Sequence, residues 1–65
     1  MEYQLSYFET VAEYERNQPD SKFTAYGLAA TMAIAGGAIT GGRIRVVKIE
    51  SADRKTIIAV WGLKP

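Results

Sequence analysis

The sequence predicts a small α+β domain: an antiparallel sheet of about four strands in the order strand–strand–helix–strand–strand, with one short helix packed on one face. Three features predict it. The chain opens with alternating apolar and polar residues, its middle is an uncharged alanine-rich stretch with helical spacing, and two β-branched runs near the C-terminus flank a polar turn.

The first strand rests on Tyr3, Leu5 and Tyr7 alternating with Glu2, Gln4 and Ser6, the period of a half-buried strand. It is expected to reach about Val11. A competing helical pattern begins at Ser6. Ser6 and Glu9 have capping-box spacing, and Phe8, Val11, Ala12 and Glu15 recur at helical intervals. Tyr, Phe, Thr and Val suit a pleated surface, so the strand is the preferred reading, with helix the alternative for residues 6–16. Asn17-Gln18-Pro19-Asp20-Ser21 then reverses the chain.

Residues 22–26 read as a second strand pairing with the first, Phe23 and Ala25 on one side, Thr24 and Tyr26 on the other. The helix follows from Gly27 to about Ala35, with Leu28, Met32 and Ala35 on one stripe beside Thr31. Gly27 is the expected N-cap, and Gly36-Gly37 the expected stop. So short a helix is marginal alone and needs packing to hold it.

Residues 43–50 and 56–63 read as the closing hairpin, with Ser51-Ala52-Asp53-Arg54 as its turn. Ile44 and Val46 fall on one face of the first of these strands, Val47 and Ile49 on the other. A bulge near Val46–Val47 is expected to bring most of them inside. Otherwise Arg43 and Arg45 share a face and form a binding edge. Trp61 is expected to anchor the core.

Composition narrows the chemistry. The 65 residues amount to one domain, and 48% are hydrophobic, which argues against disorder. There is no cysteine and no histidine, which removes disulfides, a structural zinc site and the commonest general bases and thiol nucleophiles. Ser6, Ser21 and Ser51 have no activating neighbour in sequence. Glu13 and Glu15 read as solvated carboxylates. The run Gly36-Gly37-Ala38-Ile39-Thr40-Gly41-Gly42 lacks the Gly-Lys-Ser/Thr of a P-loop. The expectation is a non-enzymatic protein without a cofactor. No basic-then-apolar leader opens the chain, which predicts a cytoplasmic location.

Charge is uneven. Glu2, Glu9, Glu13, Glu15 and Asp20 oppose only Arg16 in residues 1–20, whereas Lys22, Arg43, Arg45, Lys48, Arg54, Lys55 and Lys64 oppose Glu50 and Asp53 thereafter. Arg43, Arg45, Lys48, Arg54 and Lys55 are therefore the candidate partner-binding residues. They suit an acidic protein surface or, with aromatic neighbours, single-stranded nucleic acid; an ordinary charged edge strand is the third reading. From Phe23 to Gly42 there is no charge at all. That length is enough to cross a bilayer, so a single-span membrane protein is another alternative, though Gly and Thr weaken its drive to insert.

The run Lys22-Phe23-Thr24-Ala25-Tyr26-Gly27-Leu28-Ala29-Ala30, followed by a Gly before Arg43-Ile44-Arg45-Val46-Val47, resembles small bacteriophage host-directed inhibitors of the ββαββ plan. Among these are some type I-F anti-CRISPR proteins and the small phage inhibitor of host RNA polymerase. The resemblance covers about residues 20–61. It implies a phage protein in the host cytoplasm that binds a large host protein or nucleoprotein complex and blocks its nucleic-acid site, with Arg43, Arg45 and Lys48 at the matching basic positions. Those families carry charged helices. The absence of charge between Gly27 and Gly37 suggests instead that both sides of this helix are covered, as in a homodimer through residues 27–37.

Overall fold

A computed structural model describes residues 1–53 and 55–62. The elements are β1 (Glu2–Phe8), α1 (Val11–Glu15), β2 (Ser21–Tyr26), α2 (Leu28–Thr40), β3 (Val46–Ser51) and β4 (Ile57–Trp61). The strands form one four-stranded sheet in the order β2-β1-β3-β4. Every neighbouring pair is antiparallel. This is the expected α+β architecture, with one helix added.

That added helix corrects the reading of the first segment. The strand stops at Phe8, and residues 11–15 are helical. The capping box is Thr10 with Glu13, not Ser6 with Glu9: the Thr10 hydroxyl accepts from the Glu13 N–H at 3.1 Å, and a Glu13 carboxylate oxygen accepts from the Thr10 N–H at 3.1 Å. Ser6 lies within β1 and is buried. The same box chemistry was on offer twice, and the one outside the alternating run formed. Asn17 takes a left-handed φ of 56° just past the helix, a conformation Asn tolerates better than most residues.

The second correction concerns α2, which runs through Gly36 and Gly37 to Thr40. Glycine permits a left-handed stop without imposing one. Here packing on the sheet carries the helix onward: a Cβ on Gly36 would sit 3.7 Å from the Trp61 ring, an ordinary contact. Gly27 is the N-cap as expected, with φ at 83°, and Gly41 is the C-cap. The 13 residues of α2 make it about 20 Å long. No helix among the described residues is long and apolar enough to cross a membrane, and the uncharged stretch is divided between β2 and α2. The single-span alternative is thereby corrected.

α2 packs on all four strands. It leaves the end of β2 and reaches Trp61 and the neighbourhood of Gly62 by Gly36 and Ile39, so it crosses the sheet diagonally. Beneath it lie Tyr3, Leu5, Ala25, Val47 and Ile49 with Ala35 of the helix, and Trp61 packs against this cluster. Thr31 is buried, its hydroxyl donating to the Gly27 carbonyl at 2.7 Å. Leu28, expected on the buried stripe, is the first residue of α2 and is about half exposed.

The opposite face is covered at one end. Phe8 and Val46 are fully buried there, opposite each other in the β1–β3 register. The connection 9–20 folds over them, with the Tyr14 ring edge-on to Phe8 at 5.4 Å. The Asp20 N–H donates to the Tyr7 carbonyl at 2.8 Å, and the Asp20 carboxylate accepts from the Glu9 N–H at 2.9 Å. This layer explains why Val46 and Val47 are both buried without the expected bulge between them: each face has its own cover. The register irregularity falls instead at Ile49/Glu50. β3 begins only at Val46, so Arg43 and Arg45 precede the strand rather than sharing its face.

Candidate functional site

The four described members of the basic set predicted to meet a partner, Arg43, Arg45, Lys48 and Lys55, do not form one patch. Arg43 and Arg45 are exposed beyond the C-terminal end of α2. The Arg43 guanidinium donates twice to one carboxylate oxygen of Glu9, at 3.0 and 3.1 Å. This pair is largely solvated, so it holds Arg43 only weakly and leaves it available. The Arg45 N–H donates to the Phe8 carbonyl at 2.9 Å, which fixes the backbone but not the side chain.

Lys48 is different. It lies on the sheet face opposite α2 and its side chain is only 14% exposed. Its ammonium donates to the Asn17 side-chain oxygen at 3.1 Å and lies 4.0 Å from the Glu50 carboxylate. Held between connection 9–20 and β3, it acts within the fold. Lys55 is exposed in the β3–β4 turn. With six residues of β3 between them and Lys55, Arg43 and Arg45 stand at the other end of the sheet, roughly 17–20 Å away. Arg54 lies outside the described residues.

Around Lys55 the carboxylate of Asp53 is committed to the turn. It accepts from the Ser51 hydroxyl and, at 3.0 Å, from the Lys55 N–H. These two bonds, the Ser51 hydroxyl foremost, hold its pKa below the ordinary 3.8. Among the described residues no group of three or more Asp or Glu is placed to hold a metal.

The surface that stands out is apolar. Ala29, Ala30, Ala33, Ile34 and Gly37 on the outer side of α2 are exposed. A Cβ on Gly37 would meet nothing within 4 Å. Ile34 is 44% exposed, and Phe23 at the uncovered corner of the sheet is 48% exposed. The Phe23 ring is tilted on that of Tyr7, 4.9 Å between centroids. The diagonal of α2 creates this corner and a second one, where a cavity of about 400 Å³ is lined by Met1, Tyr3, Ser51, Thr56 and Ile58 among others.

Sequence reasoning missed Phe23 and Ile34 as surface residues. The signal available was Ile34 falling off the buried stripe of a helix with no charges to make its other side polar. No known protein family, curated protein or solved structure matches the chain.

Proposed function

We propose that this chain is a non-catalytic binding protein that engages a protein surface through the outer side of α2. Ile34 supplies its apolar centre, the exposed Phe23 of β2 offers a second apolar contact at the open corner of the sheet, and Arg43 and Arg45 form a charged rim at the helix's C-terminal end. The observation carrying this reading is the uncharged, exposed side of α2 ending next to two exposed arginines. An apolar centre with a polar, Arg-containing rim is the usual anatomy of a protein–protein interface. The separation of Lys48 and Lys55 from these arginines favours protein over nucleic acid, since a groove that tracks a nucleic-acid backbone needs its positive charges contiguous. The resemblance to phage host-directed inhibitors supplies the partner class: a host protein or nucleoprotein complex, inhibited by occlusion.

The test is affinity capture from bacterial lysate with and without nuclease, at low and high salt. The expected result is a nuclease-resistant protein partner retained at high salt and lost in Ile34→Glu. The double change Arg43→Glu, Arg45→Glu is expected to weaken capture and flatten its salt dependence. Capture that vanishes with nuclease and falls steeply with salt would move the assignment to nucleic acid.

A further inference from the structure

We infer that β4 is a self-pairing edge, through which two copies of this chain join antiparallel into one continuous eight-stranded sheet. The two edges of the sheet differ in kind. β2 carries exposed Lys22 and is preceded by Pro19 and Asp20, devices that discourage a further strand from adding. From Thr56 to Trp61 there is neither charge nor proline. Ile57 and Ile58 are 58% and 41% exposed. In a two-fold contact every group meets the same surface on its partner. A neutral strand therefore suits itself, whereas pairing β2 with itself would carry a Lys22 from each copy into the shared edge. Pairing β4 to β2 instead would bury Lys22 in an apolar row and would not close.

The register follows from the sides the residues take. Trp61 and Ala59 oppose Val47 and Ile49 on the α2 side, and Val60 opposes Lys48 on the other. The shift at Ile49/Glu50 leaves Ala59, Val60 and Trp61 as the regular part of the edge. A dyad at Val60 then sets each Trp61 beside the partner copy's Ala59, large against small and both on the α2 side. It also sets Gly62 of each copy opposite Ile58 of the other.

The uncovered corner gives the second argument. α2 meets β4 at the Trp61 end, and a largely apolar cavity with Ile58 and Tyr3 in its lining lies at the other end of the same strand. Antiparallel pairing reverses one β4 against the other. The covered, Trp61-bearing end of each copy thus falls beside the open corner of its partner. The dyad is perpendicular to the sheet, so both α2 helices lie on one side with their outer surfaces free.

The test uses the purified full chain. Trp61 is the sole tryptophan, so its emission reports on β4 directly. Sedimentation and Trp61 fluorescence would be followed from roughly 1 µM to 1 mM, a range bracketing the affinity of a small interface. The expected result is a monomer–dimer equilibrium with Trp61 emission moving to shorter wavelength as dimer forms. Val60→Lys, placing two ammonium groups on the dyad, should raise the dissociation constant at least tenfold, while Thr24→Lys on β2 leaves it unchanged. Should Val60→Lys unfold, concentration-dependent protection of the β4 amides in the unaltered chain decides. A monomer with constant Trp61 emission throughout, open-ended filaments, or dissociation by Thr24→Lys would each overturn the inference.

Discussion

The two edges of this sheet solve the same problem in opposite ways. β2 is exposed along nearly its whole length, only Ala25 being buried, yet it is made tolerable by Lys22 and by side-chain bonds from the next strand. Gln4 donates to the Phe23 carbonyl at 3.0 Å and to the Thr24 hydroxyl at 3.2 Å. Among the described residues, β4 has no such side-chain bonds. It is secured from behind, by Trp61 packing on the core and by Gly62, whose φ of 91° is open to glycine and strained for other residues. An edge can thus be held by chemistry along its rim or by anchorage at its end, and charge along the rim also discourages a neighbour.

Substitutions can break this comparison at chosen points. Leu5 sits in β1 between Phe23 of β2 and Ile49 of β3, fully buried. Leu5→Ala should undermine both edges together, costing about 2–5 kcal/mol in urea unfolding; in a domain this small that approaches global unfolding. Gly62→Ala should act on the β4 half. Its Cβ would overlap the Arg45 carbonyl and meet Ile39 at 3.0 Å, on top of the unfavourable φ, so a loss of at least about 2 kcal/mol is expected. Amide exchange should then accelerate in β4 before β2.

Gly37→Ala should go the other way. The added methyl meets nothing, and an interior helix glycine gives up roughly 0.5–1 kcal/mol relative to alanine, so the variant should melt higher by that measure. A loss of stability would mean that the outer side of α2 is covered after all.

The smallest effect belongs to the hairpin turn. Because the folded Asp53 pKa lies below 3.8, its contribution is present above the unfolded value and lost as pH falls through the folded one. Asp53→Asn should therefore narrow the difference in melting temperature between neutral and strongly acidic solution, slightly, since the group is fully exposed.

The chain's strand periodicity was plain in Tyr3, Leu5 and Tyr7, and the hairpin in its two β-branched runs, because both depend on local pattern and neighbouring partners. The α+β class followed. Less legible were the ends of elements. Ser6/Glu9 and Thr10/Glu13 offer identical capping chemistry, and only the pairing of Ser6 with Lys22 and Lys48 across the sheet excludes the first. Gly36-Gly37 reads as a stop until Trp61, remote in sequence, supplies a surface for the helix to continue on.

The candidate binding residues divide along the same line. By itself the sequence determined that the chain lacks histidine and cysteine, that its middle is neutral and that its cations are concentrated in the second half. Those are properties of composition and order. Only tertiary structure decided that Lys48 is drawn under connection 9–20 while Arg43 and Arg45 stay exposed past the end of α2, and that Ile34 and Phe23 look outward. The angle at which a helix crosses a sheet is set by side-chain packing across several strands at once, and no single stretch of chain contains that information.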